Sequence, residues 1–178
     1  ASPKGERPFL DRLVLKDLTT TRLFQSADTA YEQPLAVLAD NSLVTVKESV
    51  TEPPNLFLRD GNNASAIALT KVKDPTPQLR KIHRELVTFK RADGIDLSFW
   101  LYLPPDYKEG EKRPALVWAY PLEFTSGATA GQVSGSTNRF AAFAPLSPLN
   151  LVMDGYAVLS DATMPVVGDP KTVNDSFV

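Results

Sequence analysis

The sequence of 178 residues contains no cysteine and a single histidine, His83. The absence of cysteine excludes a disulfide framework, a thiolate metal site and a cysteine nucleophile within these residues. A zinc site is not expected either, because one histidine without cysteine supplies too few of the ligands that zinc prefers. We interpret His83, which lies in a basic stretch, as a solvated or hydrogen-bonded linker residue. The sequence indicates no metal and no cofactor.

The sequence also lacks an excess of charge of one sign, since 19 Lys and Arg stand against 21 Asp and Glu. This balance creates no global field that would attract nucleic acid or an anionic membrane. Basic residues do cluster around one predicted strand: Arg80, Lys81, Arg84, Lys90 and Arg91. Glu85 and Asp93 interrupt this cluster and no aromatic stacking platform accompanies it, so we interpret it as a solvated sheet edge. Neither nucleic acid nor a membrane is an expected partner.

Long apolar runs are missing too. No run reaches the roughly 18 apolar residues of a membrane-spanning helix, and residues Ala1–Pro8 lack the apolar core of a secretory signal peptide. We therefore expect the chain to begin in the interior of a longer protein, and the cellular compartment is left open.

The first half of the sequence contains an internal similarity. Residues 13–26 and 56–70 both have three apolar residues, a basic residue followed by Asp, a polar turn and then an alternating strand. Lys16 and Arg59, which begin the two basic–Asp pairs, are 43 residues apart. A four-stranded propeller blade repeats after roughly 40 to 45 residues, so this spacing favours a β-propeller. The alternative is an ordinary antiparallel meander with accidental similarity.

Two further short strands lie between these similar stretches, Leu35–Leu38 and Leu43–Lys47. Together they predict one and a half propeller blades. The proline-bearing stretch Lys71–Gln78 then interrupts strand pairing and predicts a domain boundary. We therefore predict that residues 1–78 are the C-terminal blades of a β-propeller and that residues 79–178 form a second domain.

The second domain begins with an antiparallel hairpin. The stretches Glu85–Arg91 and Ile95–Leu103 alternate around an Asp93-Gly94 turn, which is a strong hairpin signal. Two apolar runs follow, Pro114–Pro121 and Gly155–Ser160, and their pattern is typical of buried strands in a parallel sheet. This order predicts the N-terminal part of an α/β sheet, with a long connection between the two runs and a short helix near residues 139–143.

The order of elements resembles the prolyl oligopeptidase family of serine peptidases, in which a β-propeller caps an α/β-hydrolase domain. Two motifs support this resemblance: the Arg-Glu-x-Val-Thr-Phe-Lys-x-x-Asp-Gly pattern that begins at Arg84 and the Leu-Pro-Pro-Asp-Tyr pattern that begins at Leu103. A finer resemblance to the glutamyl endopeptidase branch of the family, known from chloroplasts and bacteria, comes from further stretches: Trp118–Phe124, Ala130–Phe140, Gly155–Ser160, Met164–Gly168 and Asn174–Asp175. The family's usual glycine-rich segment is here Tyr-Pro-Leu-Glu-Phe, which favours the glutamyl branch over prolyl or dipeptidyl specificity.

The resemblance implies roles for two residues. A tyrosine at the position of Tyr120, which we expect at the carboxyl end of the first parallel strand, donates its hydroxyl to the oxyanion. Arg139 lies in the most family-specific run and is a candidate for binding a substrate glutamate, because a guanidinium pairs well with a carboxylate. An ordinary surface or salt-bridge role for Arg139 is the alternative. The catalytic Ser, Asp and His are expected beyond Val178.

Other candidates have plainer interpretations. Gly127–Gly131 mimics a nucleophile elbow centred on Thr129, but a β-branched residue tolerates the elbow's backbone conformation poorly, and we predict a flexible loop. His83 precedes the whole sheet and is not expected in a triad. Asp161 and Asp169 are predicted turn residues at the border of the cleft.

The sequence thus predicts part of a propeller-capped serine peptidase that cleaves peptides, with preference after Glu implied by the resemblance alone. Its expected partners are a peptide substrate and the remaining portion of the same protein, or a companion chain that completes the hydrolase domain. The 178-residue chain alone is expected to be inactive. The alternatives are an oligopeptidase of different specificity and a non-catalytic, propeller-derived binding module.

Overall fold

The computed structural model describes residues 5–61 and 65–173, which form two compact units. We call them the meander unit, made of Glu6–Arg80 and Gly135–Ala141, and the sheet unit, made of Gly5, Lys81–Ser134 and the described residues from Ala142 onward. The predicted boundary after residue 78 lies close to this division, but the return of Gly135–Ala141 to the meander unit had no sequence signal. No helix in the described ranges is long and apolar enough to cross a bilayer.

The meander unit contains two antiparallel sheets. One is a hairpin of β1 (Phe9–Val14) and β2 (Thr19–Gln25). The other has four strands in sequential order, and these are β3 (Tyr31–Val37), β4 (Leu43–Glu48), β5 (Asn55–Arg59) and β6 (Ala66–Ala68). All the strands predicted in this half are present, as one four-stranded meander preceded by one hairpin. The predicted turn between β5 and β6 includes residues 62–64, which lie outside the described residues.

Short polar residues close these hairpins. Asp40 accepts a hydrogen bond from the Ser42 backbone N–H at 3.0 Å, and Asn41 adopts a φ of 65°. Asp17 likewise accepts from the backbone N–H and the hydroxyl of Thr19, at 3.1 and 2.7 Å. Aspartate and asparagine suit such turns because their side chains bond to nearby backbone and tolerate a left-handed conformation.

The interior of the meander unit holds charged groups. Glu32 is 2% exposed, and its carboxylate accepts hydrogen bonds from Arg59 Nε at 2.5 Å and from the Thr45 hydroxyl at 2.6 Å. A second Arg59 nitrogen donates to the other carboxylate oxygen at 2.7 Å. Burial raises the pKa of Glu32, but the bonds from Arg59 and Thr45 outweigh it and hold the pKa below its usual value. This carboxylate is therefore ionised and fully paired.

The sheet unit contains a mixed sheet in the order β7-β8-β10-β9. Its strands are β7 (His83–Lys90), β8 (Asp96–Leu103), β9 (Ala115–Phe124) and β10 (Ala157–Val167). The predicted β7–β8 hairpin is confirmed, and Gly94 in its turn has a φ of +86° that a side chain would strain. The predicted parallel pairing is confirmed as well, because β9 and β10 pair in parallel.

The core of the sheet unit is apolar. Trp100 and Tyr102 on β8 and Val158 on β10 are buried against Val133 and Val152 from the connection between β9 and β10. Val152 belongs to a 3₁₀ helix, Pro148–Asp154, which Ser147 caps and which ends at Gly155 with a φ of +90°. The guanidinium of Arg84 stacks on the Trp100 ring at 4.1 Å, so even the cation at this core contacts an aromatic face.

Two predictions about this unit are wrong. The first parallel strand is not buried: β9 is an edge strand, and Val117, Trp118 and Leu122 are each more than half exposed. The short helix near residues 139–143 is absent, and the connection instead forms a single helical turn, α1 (Gly127–Ala130), and the 3₁₀ helix. Burial of a strand depends on its neighbours, which periodicity alone does not show.

Prolines within strands mark where pairing is one-sided. Pro34 lies on β3 and Pro121 on β9, and both strands are sheet edges, where a missing N–H costs no ladder bond. Pro165 lies on β10, a central strand, but β10 pairs with β8 only from Val158 to Ser160. Each proline therefore lies where a ladder on one side is missing.

Candidate functional site

The candidate site lies where β10 separates from β8. The two strands pair over three residues, Val158 to Ser160, and the register of β10 against β9 then shifts between Leu159 and Ala162. Asp161 lies in this bulge with a φ of +52°. A β-bulge bends its strand and re-aims a side chain, so β8 and β10 diverge beyond this point.

Thr163 bridges the diverging strands with its side chain. Its hydroxyl accepts a hydrogen bond from the Ser98 backbone N–H at 2.8 Å and donates to the Ser98 carbonyl at 3.1 Å. One hydroxyl thus satisfies two backbone groups that a regular ladder would have paired. The divergence stays open without leaving the Ser98 backbone unpaired.

The opening is a cleft of about 240 Å³ in the sheet unit. Its lining combines aromatic side chains with polar residues. The lining residues are Ser98, Trp100, Trp118, Tyr120, Leu122, Phe124, Ala130, Gln132, Ser134, Asp161, Ala162, Thr163, Met164 and Pro165. Alternation along β9 explains the aromatic wall, because Trp118, Tyr120 and Phe124 all point to one face.

Tyr120 lies in this cleft and is 76% exposed. Its expected place at the carboxyl end of the strand is wrong, since β9 continues through Pro121 to Phe124. Within the described chain, the Tyr120 hydroxyl has no hydrogen-bond partner. A phenol hydroxyl in this state can donate to an oxygen of a bound molecule.

Asp161 also lines the cleft, and it is the only acidic residue among the described residues that do so. Its place within β10 corrects the prediction of a turn residue, whereas Asp169 does lie in a turn and accepts from the Lys171 backbone N–H at 2.8 Å. Burial raises the pKa of Tyr102, Arg84 opposes this rise, and the negative charge of Asp161 adds to it. The charge of Asp161 therefore acts on the buried Tyr102 hydroxyl of β8.

Arg139 lies in the meander unit. Its Nε donates to Glu48 at 3.1 Å, its guanidinium lies 4.8 Å from the Tyr31 ring centroid, and the Phe140 backbone N–H donates to the other Glu48 oxygen at 2.9 Å. Glu48 is buried, whereas the Arg139 side chain is half exposed. Burial raises the pKa of Tyr31, and the charge of Glu6 adds to this rise. Arg139 thus has a carboxylate partner within the protein.

The remaining sequence candidates are not brought together. His83 begins β7 and lies 3.4 Å from Glu85, with both side chains largely exposed. Thr129 belongs to α1 rather than to a strand–turn–helix elbow. In the described ranges, no group of three or more His, Asp or Glu side chains could hold a metal ion. Sequence reasoning missed Ser98, Trp118 and Thr163 as cleft residues, because nothing in the sequence marks where β10 leaves β8.

The fold resembles segments of peptidases of the dipeptidyl peptidase type. The crystal structure of Porphyromonas gingivalis dipeptidyl peptidase 4 matches 94% of this chain and 22% of that chain, with a TM-score of 0.60 and 16% identity. A putative dipeptidyl aminopeptidase IV from Bacteroides ovatus matches 73% of this chain and 18% of that chain, with a TM-score of 0.50 and 20% identity. No family model matches the chain.

Two curated relatives with similar sequences are both glutamyl endopeptidases by name. The chain is 35% identical to a probable chloroplastic glutamyl endopeptidase of Oryza sativa subsp. japonica and 34% identical to one of Arabidopsis thaliana, in both cases along its whole length. It spans about 20% of the length of these curated relatives. The resemblance to the glutamyl endopeptidase branch of the prolyl oligopeptidase family is therefore confirmed.

Proposed function

We propose that this chain is part of a serine peptidase that cleaves peptides through an acyl-enzyme, and that Tyr120 supplies an oxyanion donor. In this proposal the four-stranded meander is a propeller blade and the mixed sheet is the beginning of an α/β-hydrolase domain. The catalytic Ser, Asp and His come from residues outside this sequence, on the same protein or on a companion chain. The similarity to glutamyl endopeptidases supports the activity.

One observation carries the role of Tyr120. Its hydroxyl is exposed in an aromatic cleft and has no hydrogen-bond partner in the described part of the chain, so it is available to a ligand. A donor fixed on a strand needs no reorganisation when negative charge develops on a carbonyl oxygen. In this proposal the strand holds the donor ready for the transition state.

The test is Tyr120→Phe in the complete protein, measured with a quenched fluorescent peptide. Loss of one oxyanion donor lowers kcat by about 100- to 1000-fold, and we expect KM to change little because the donor acts in the transition state. Tyr156→Phe is the matched control, since Tyr156 belongs to the sheet unit but does not line the cleft. An unchanged kcat in Tyr120→Phe would remove the assignment.

We further propose that the peptidase prefers Glu and that Arg139 recognises its carboxylate. The half-exposed guanidinium, held by Glu48 and the Tyr31 ring, supports a fixed geometry for such a contact. A substrate carboxylate has to share Arg139 with Glu48. Substitution of Arg139 distinguishes binding of the substrate carboxylate from a purely structural pairing with Glu48.

Arg139→Ala should lower the ratio of kcat/KM between matched Glu and Gln peptides by about tenfold, because a charge-assisted hydrogen bond is lost. Arg139→Lys keeps the charge and serves as the comparison. If Arg139→Ala lowers activity on both peptides equally, Arg139 is a structural partner of Glu48 and the specificity assignment fails.

A further inference from the structure

Asp161 has an unusual backbone for a residue within a central strand. Its φ of +52° is in the left-handed region, which residues with a side chain seldom adopt. Aspartate and asparagine enter this region more readily than other such residues. Strained conformations of this kind are concentrated at functional sites, where the surrounding structure holds them in place.

Few groups in the described part of the chain offset the negative charge of the Asp161 carboxylate. Its side chain is exposed, and the Ser160 hydroxyl is 3.3 Å from one of its oxygens. No ion pair among residues 5–61 and 65–173 involves Asp161, although Asp93 and Asp96 of the same unit are paired with cations. Asp161 therefore presents a negative charge without a counter-charge to the cleft.

The surroundings of this charge favour an organic cation over a metal ion. Trp118 and Tyr120 line the same cleft, and the faces of indole and phenol rings attract ammonium and guanidinium groups. A metal would need more ligands, but no metal-binding group of His, Asp and Glu occurs in the described part of the chain. The combination of one carboxylate with aromatic walls is suited to a positively charged nitrogen.

The size of the cleft limits what enters it. Its volume of about 240 Å³ is smaller than the roughly 300 to 1,000 Å³ of sites that enclose drug-sized ligands. One side chain or one chain terminus fits, with the rest of a peptide outside. The cation therefore belongs to a single residue of a larger ligand.

We propose that Asp161 binds a cationic nitrogen of the peptide substrate, either the N-terminal ammonium or the ammonium or guanidinium of a basic side chain. This inference rests on the proposed peptidase function. It adds a second recognition element beside Tyr120, with selectivity for charge opposite to that of a Glu-binding residue.

The test is Asp161→Asn in the complete protein. Asparagine tolerates the left-handed backbone, so this substitution removes the charge and leaves the bulge in place. Three peptides distinguish the sources of the cation: one blocked at both ends with an internal lysine, one with a free amino terminus and no lysine, and one blocked with norleucine in place of lysine. Asp154→Asn is the control, because Asp154 is an exposed acid of the same unit outside the cleft lining.

We expect Asp161→Asn to lower kcat/KM about tenfold for one or both cationic peptides and to leave the norleucine peptide within about twofold. Asp154→Asn should leave all three unchanged. An equal loss on all three peptides, or no loss on the cationic ones, would overturn the proposal.

A binding measurement separates this proposal from the peptidase function. Trp100 and Trp118 line the cleft, so tryptophan fluorescence can follow the binding of all three peptides without cleavage. If the protein cleaves no peptide, but Asp161→Asn binds the lysine peptide or the peptide with a free amino terminus about tenfold more weakly, the peptidase proposal fails and the cation site stands. Equal affinities of both forms for both cationic peptides would reject the site.

Discussion

The meander unit and the sheet unit fill their interiors with different chemistry. The meander unit buries two carboxylates, Glu32 and Glu48, and surrounds each with donors. The sheet unit buries valines instead, and Val152 and Val158 are wholly inaccessible to solvent. The difference teaches that removal of one side chain leaves an unpaired charge in the first unit and an empty volume in the second.

The largest effect is expected from Glu32→Ala in the meander unit. It leaves the partly buried Arg59 guanidinium without its anion, and removing one partner of a buried ion pair costs about 3 kcal/mol. Hydrogen exchange of the β4 amides in the complete protein measures the free energy of local opening. The control is Lys90→Ala in the sheet unit, which breaks the exposed pair with Asp96 and should leave the exchange of the β7 amides unchanged.

The same residue gives the meander unit a pH dependence. Because the pKa of Glu32 is lowered on folding, its contribution is complete above its ordinary value of 4.5 and is lost as the pH falls through the lower folded pKa. Glu32→Gln should remove this part of the acid sensitivity. If Glu32→Ala costs no more than Lys90→Ala, the distinction between the two interiors is wrong for this pair.

A smaller effect is expected from Val158→Ala in the sheet unit. The loss of a fully buried valine removes apolar contact and leaves a cavity beside Trp100, at a cost of about 2 kcal/mol. Exchange of the β8 amides in the complete protein reports it. This cost should not vary between pH 4 and 7, since no charge is changed. A cost that rises steeply in acid would show that ionic groups also stabilise this core.

Local chemistry made several elements predictable. The Asp93-Gly94 turn specified the β7–β8 hairpin because glycine accepts the positive φ that the turn requires. Two apolar runs were enough to predict that β9 and β10 pair in parallel. The strands of the meander were likewise readable from their alternation and polar turns.

The other predictions were wrong because they depend on contacts between residues that lie far apart in the sequence. The stretch after Arg139 is irregular and its backbone bonds to Glu48, which is more than 90 residues away in sequence. The exposure of β9 depends on its edge position, and the cleft depends on the bulge at Asp161. Ser160, Asp161 and Ala162 carry no local signal for a bulge, so the cleft could not be inferred from the sequence.

The seven residues Gly135–Ala141 have a practical consequence for dissecting the gene. A cut after Arg80 would give a meander unit whose Glu48 has lost both the Arg139 guanidinium and the Phe140 amide, the two donors that its carboxylate bonds to here. The other product would carry Gly135–Ala141 without the meander unit to which this segment belongs. No single cleavage point yields two intact halves, and a separately expressed meander unit needs this short peptide spliced on or supplied in trans.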